Sequence, residues 1–147
     1  MLSKKAKYAL KALLALAAHS GTDPIRIADL ARRQRIPRKF LELILLDLRN
    51  AGLVRSIRGP AGGYLLARRP GRIHLGEVVR MFDGPIAPVP CASQHFYQRC
   101  KDCPDEAACG VRLAMKQVRD ASARILDRTT IDTLAKRQRI AQGRRRT

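Results

Sequence analysis

Tryptophan is absent from this chain of 147 residues, aromatics make up 4%, and 12 acidic residues face 30 lysines and arginines. With so few rings, a core must be built from Leu, Ile, Val and Ala. A hydrophobic fraction of 46% suffices for that, and the composition leans helical. The shortage of acid leaves a net charge of +18, which points to a polyanionic partner. No apolar run approaches the ~20 residues of a membrane span. The stretch from Ala9 to Ala18 is broken by Lys11 and has its apolar residues at helical spacing, so it reads as a helix and not as a signal peptide. A cytoplasmic protein with no membrane partner is expected. Cysteine is also scarce, but all four fall between Cys91 and Cys109. In a reducing compartment such a cluster suggests ligands or sensors and not staples. No nucleophile–base pair, phosphate loop or carboxylate pair stands out, so an enzyme is not expected.

The charge is unevenly spread. Residues 1–85 carry 17 basic and 6 acidic groups, residues 86–135 carry 7 and 6, and residues 136–147 carry 6 and none. A DNA-facing part joined to a protein-facing part would have this distribution. Four segments are expected: a DNA-binding domain over 1–84, a Cys-rich sensor loop over 85–110, a dimerisation helix with a short last helix over 111–136, and an irregular basic tail over 137–147.

Apolar periodicity organises the first segment. Ser3 suits the N-cap of a helix whose Leu10, Leu13, Leu14 and Ala17 share a face. Ser20-Gly21-Thr22-Asp23-Pro24 stops it. A short helix over Ile27 to Gln34 follows, and Pro37 suits the first turn of a third. That third helix has the stripe Phe40, Leu41, Ile44, Leu45 and Leu48, and Gly52 suits its left-handed cap. Two helices joined by a short turn form a helix-turn-helix. Leu53 to Arg58 alternates as a strand, Gly59-Pro60-Ala61-Gly62-Gly63 turns, and Tyr64 to Leu66 returns. A hairpin after the recognition helix is a wing. The expected fold is therefore mainly α: a winged helix-turn-helix of three helices and a two-stranded wing, with a long C-terminal dimerisation helix. In that helix Val111, Met115, Val118, Ser122 and Ile125 repeat at coiled-coil spacing, which calls for a partner, either a second copy or the chain's own domain.

Arg38, Lys39 and Glu42 lie off the apolar stripe, near the start of the recognition helix, where side chains reach base edges in the major groove. Arg pairs bidentately with guanine, and a carboxylate accepts from a cytosine amine. Arg55, Arg58, Gly59 and Pro60 are candidates for holding phosphates or entering an adjacent groove. The partner expected is double-stranded DNA carrying a palindromic operator, bound by a homodimer. A nonspecific architectural DNA-binding protein, or an adaptor using the long helix, would explain the charge or the seam alone but not the wing and recognition helix together.

Three runs carry a family resemblance: Pro37-Arg38-Lys39-Phe40-Leu41-Glu42, Leu48-Arg49-Asn50-Ala51-Gly52-Leu53-Val54, and Ser56 to Leu66 through Gly59-Pro60-Ala61-Gly62-Gly63. With Gly76-Glu77-Val78-Val79 and the cysteines, they resemble the Rrf2 (IscR/NsrR/CymR-type) family of winged-helix transcriptional regulators, over nearly the whole chain up to about residue 136. The resemblance implies a homodimer whose long helix crosses to the partner, acting as a transcriptional repressor. It also implies sensing of iron–sulfur, redox or nitric oxide status through a [2Fe-2S] or [4Fe-4S] cluster held by three cysteines and one further ligand. Other members carry no cluster.

The resemblance makes Cys91, Cys103 and Cys109 the metal ligands, with Cys100 as alternate or fourth ligand. Two family positions for the fourth ligand are occupied otherwise here, by Arg112 and by Tyr8. Thiolates suit iron–sulfur clusters and zinc alike, and a thiol–disulfide switch without metal is the remaining reading. His95 is a loop residue of the solvated kind, and His19 and His74 read as structural.

Overall fold

The computed structural model describes residues 2–19 and 21–145. Helix α1 spans Lys4–Ala18, and the Ser3 hydroxyl accepts from the Ala6 amide at 3.0 Å, the expected cap. The Ser3 amide in turn donates to Asp83 at 2.9 Å, fixing the start of α1 across the chain. The buried side of α1 is Ala6, Ala9, Ala12, Leu13 and Leu16, while Leu10, Leu14 and Ala17 are only half-buried against the core. This differs from the single face anticipated, because α1 is packed on several sides and its alanines let neighbouring helices come close.

Helices α2 (Ile27–Gln34) and α3 (Arg38–Asn50) form the helix-turn-helix. Arg35, at φ 53°, makes the turn, and the Ile36 amide reaches back to the Ala31 carbonyl at 2.9 Å. Left-handed backbone costs a non-glycine residue about 1–2 kcal/mol, which the burial of Ile36 immediately after it offsets. Pro37 sits at the N-cap, one residue before the first turn it was expected to occupy. Leu41, Ile44, Leu45 and Leu48 are buried as their spacing requires, and Phe40 meets Tyr8 edge-on at 5.6 Å. Gly52, at φ 72°, closes α3: its amide donates to Arg49 and the Leu53 amide to Leu48, both at 2.9 Å.

Strands β1 (Val54–Ile57) and β2 (Gly63–Leu66) pair antiparallel, with Val54 opposite Leu66 and Ile57 opposite Gly63. Ile25 adds a short third rung by exchanging two backbone hydrogen bonds with Tyr64. Helix α4 (Leu75–Asp83) follows, then an irregular segment holding a single 3-10 turn, Pro90–Ala92. Helix α5 (Gly110–Arg128) has no buried residue, while α6 (Ile131–Arg144) buries Ile131 and Ala135. Ile131 belongs to the same buried cluster as Leu13, Leu41 and Val78, so the C-terminus packs back onto the first part of the chain.

The expectation of an irregular tail from residue 137 is corrected: α6 continues to Arg144, and only residues 146 and 147 of that tail lie outside the described residues. Thr130 caps the helix by accepting from the Thr133 amide, and Asp132 pairs with Lys136 at 2.7 Å. Lys, Arg, Gln and Ala are all good helix formers, so one packed turn can propagate through the basic run.

Candidate nucleic-acid interface and cysteine cavity

On α3, Arg38, Lys39 and Glu42 all lie on the exposed side, away from the buried stripe. Arg38 Nε donates to Glu42 Oε1 at 3.3 Å, an i,i+4 pair that lays the guanidinium along the helix. Arg55, Arg58, Gly59 and Pro60 are likewise exposed, along β1 and at the wing tip. The expected DNA-facing residues therefore come together on the outer side of α3 and on the hairpin that follows it.

Two features of this surface were not anticipated. Leu43 stands 58% exposed beside Glu42, and Leu46 is exposed further along. An apolar side chain on a recognition helix is suited to a thymine methyl group. The signal in the sequence is that Leu43 falls outside the stripe of Leu41, Ile44, Leu45 and Leu48. The second feature is Arg26, which precedes α2 and donates to the Pro60 carbonyl at 2.9 Å, bracing the wing tip against the helix-turn-helix. Gly63 permits this close packing: a Cβ there would lie 2.3 Å from the Ile25 carbonyl oxygen.

The four cysteines line one cavity of about 710 Å³ at the start of α5. Its wall is mostly apolar and includes Val89, Pro90 and Val111. Cys91, Cys103 and Cys109 are half-buried, Cys100 is exposed, and all four are free thiols. Partial burial pushes the Cys103 thiol up, and the neighbouring Cys109 adds to the effect. The Cys103 amide donates to the Cys100 carbonyl at 3.4 Å. Among the described residues, no three His, Cys, Asp or Glu side chains converge as a metal site would require. The donor set suits a soft metal, but the cysteines have to draw closer together to share one.

Arg112, at a family position for the fourth ligand, has another task. Its Nε donates to the Cys91 carbonyl at 3.0 Å and its Nη1 to the Glu106 carbonyl at 3.4 Å, so it ties both ends of the cysteine segment to α5. Arg119, about two turns further on, donates to the Ala92 carbonyl. Tyr97 donates to Glu106 and is thereby held above the usual phenol range. His95 is exposed.

Of the seam residues, Val111, Val118 and Ile125 are exposed, while Met115 and Ser122 are half-buried. Ala114 and Ala121 complete the exposed stripe. Among the described residues no helix is long and apolar enough to cross a membrane.

Residues 2–137 match the Rrf2 family model, described as an iron-dependent transcriptional regulator. The chain is 47% identical to the rrf2-like HTH-type transcriptional regulator of Rhodobacter capsulatus over 137 residues, 91% of both chains. Its fold is similar to that of CymR, the global cysteine regulator of B. subtilis, with a TM-score of 0.77 and 35% identity, covering 92% of this chain and 96% of that one. It is similar also to IscR of T. potens, with a TM-score of 0.75 and 30% identity, covering 97% and 90%. These relatives are regulators of transcription and not enzymes, and the chain, with its helix-turn-helix and wing, belongs to the Rrf2 family of DNA-binding transcriptional regulators.

Proposed function

We propose that this regulator is a cytoplasmic homodimer that represses transcription from a palindromic operator, with an iron–sulfur cluster at the cysteine cavity setting its DNA affinity. The observation that carries the reading is the gathering of all four cysteines around one cavity at the root of α5. Cys91, Cys103 and Cys109 would hold the cluster, with Cys100 as the fourth ligand or in place of Cys103. When bound, a cluster supplies a centre that reacts with oxidants and nitric oxide. The protein's own residues do the rest. Arg112 and Arg119 anchor the segment bearing Cys91 to α5. Arg38, Lys39 and Glu42 read bases, and Arg55, Arg58, Gly59 and Pro60 hold the wing on the DNA. The dimer is supported by the exposed stripe of Val111, Val118 and Ile125, which a monomer leaves in water.

A second reading is favoured by one pair of thiols. Cys103 and Cys109 line the same cavity, close enough for Cys109 to raise the Cys103 thiol, so two-electron oxidation by peroxide would join them as a disulfide with no metal involved. Anaerobic purification followed by iron and acid-labile sulfide assays separates the two. Iron and sulfide in equal amounts are expected. Metal-free protein whose DNA binding is altered by peroxide and restored by a dithiol would replace the cluster with the thiol pair. Stoichiometric zinc would make the site structural.

A further inference from the structure

Helix α6 has no part in that reading, yet with its C-cap Arg145 it carries five basic residues from Lys136 onward and no acid after Asp132. Their placement is specific. Ile131 and Ala135 bury one side of α6, and Ile140, 59% exposed, lies on the opposite side. Arg139 and Arg145 flank the buried side and share a surface cleft with Gln142. Arg139 also lines a second cleft, with Lys11 of α1 and Gln34 at the end of α2. A third cleft shares Ala15, Ala18 and Gln34 with it and is bordered by Arg33 of α2. Arg139 thus stands across a common wall from the end of α2, immediately before the turn that leads into the recognition helix, with Arg145 beside it in the neighbouring cleft.

We infer that the Arg139–Arg145 side of α6 is a second DNA-binding surface, which grips backbone phosphates flanking the segment read by α3. The inference rests on the DNA-binding reading above but adds a contact beyond the helix-turn-helix and wing. Lys136 is paired with Asp132 at 2.7 Å, whereas Arg139 lines both clefts, one of them shared with Gln34 of α2. Arginine donates several N–H groups in a fixed fork that suits phosphate. A duplex fits this surface better than a membrane does. The face has no exposed apolar anchor, since Ile140 lies on the far side, and it continues the arginine-bearing end of α2.

The test uses the full-length protein and a 40-base-pair mixed-sequence duplex, with binding measured over a range of salt. Each lost phosphate contact makes the slope of log K against log salt shallower by about 0.9. The variant Arg139→Gln/Arg145→Gln is expected to lose up to about 1.8 per protomer on this duplex. On a duplex trimmed to 16 base pairs, with no flank to grip, its slope should match that of wild type. Arg137→Gln removes a charge on another side of α6 and should change the slope much less. Circular dichroism checks that α6 persists. Unchanged slopes for the double variant on the long duplex, or an equal effect from Arg137→Gln alone, would overturn the inference while leaving DNA binding itself intact. Loss of binding to phosphatidylserine vesicles without any change on DNA would overturn it too, and would make this a membrane-facing surface. Absence of wild-type binding to any duplex would instead remove the DNA-binding reading on which it rests.

Discussion

Arg38 and Arg58 are both exposed cations of the DNA-facing surface, but their settings differ. Arg38 is held along α3 by Glu42 at 3.3 Å, a geometry that presents a guanidinium to one place in a groove. Arg58 lies between the end of β1 and the glycine turn, where a phosphate is the natural partner. A bidentate base contact discriminates by about 1–3 kcal/mol. Arg38→Ala is therefore expected to weaken operator binding by that amount and random-sequence binding by much less, in a competition assay. Arg58→Ala should weaken both about equally. Equal losses for the two variants on both DNAs would remove base reading from Arg38. Gly63 makes a second case at this scale. A Cβ there collides with the Ile25 carbonyl, a backbone atom that cannot swing aside. Gly63→Ala should destabilise the fold by about 1–3 kcal/mol in urea unfolding, as forced shifts in a packed site do. A melt identical to that of wild type would mean that the rung between Ile25 and Tyr64 is dispensable. The glycine turn itself was legible in the sequence. The reason for Gly63 was not, because its neighbour in space lies 38 positions earlier in the chain and no local pattern marks it.

Among the elements, those with a periodic pattern and a hard stop were readable, and those whose ends depend on other elements were not. Helix α3 was legible because Leu41, Ile44, Leu45 and Leu48 repeat on one face and Gly52 ends it. Helix α6 was read too short because its charge run suggested solvation, whereas a single buried turn around Ile131 and Ala135 organises the whole. Helix α5 is the instructive case. It carries apolar residues on two sides, and spacing alone cannot say which side faces its own chain. The pattern through Met115 and Ser122 has the larger side chain, yet these two are half-buried, and the fully exposed line runs through Val111, Ala114, Val118, Ala121 and Ile125. Val118 lies on both versions of the seam and is 45% exposed, so it is the residue to change. Val118→Asp should place paired carboxylates in an apolar contact and give monomers by analytical ultracentrifugation, with operator affinity falling because two half-sites are no longer held together. Since the residue is open to water in the single chain, the monomer should keep its helix content. A wild-type protein that is already monomeric at micromolar concentration would dismiss the seam.

Across the whole molecule, α5 connects the cysteine cavity to the winged helix. Its 19 residues span about 28 Å at 1.5 Å per residue. Near its start Arg112 holds the Cys91 carbonyl, and at its middle Arg119 holds that of Ala92. Near its end, Asp127 takes both Nη atoms of Arg80 on α4, at 2.6 and 2.9 Å. The Leu75 amide donates to Thr129 and the Ile131 amide to Ile73, each at 2.9 Å, beside the same joint. A rigid helix tied at both ends transmits displacement, so a change in how the cysteine segment sits should reach α4 and hence the spacing of the recognition helices in a dimer. Arg80 holds the Asp127 carboxyl below the usual carboxylate range, mainly through the hydrogen bonds. A depressed carboxylate contributes stability above its unfolded value and loses it as the pH falls through the folded one. The link is therefore fully formed at neutral pH and is lost only in acid. Its side chains are 40% and 47% exposed, so solvent screening limits its share of stability to less than about 1 kcal/mol. Its removal then separates coupling from folding. Arg80→Ala should leave the urea midpoint nearly unchanged, yet bring the operator affinities of anaerobically purified and metal-stripped protein closer together than in wild type. If wild type shows a difference between the two forms and the variant keeps all of it, the signal travels by another route, and the joint at Asp127 only fastens two helices.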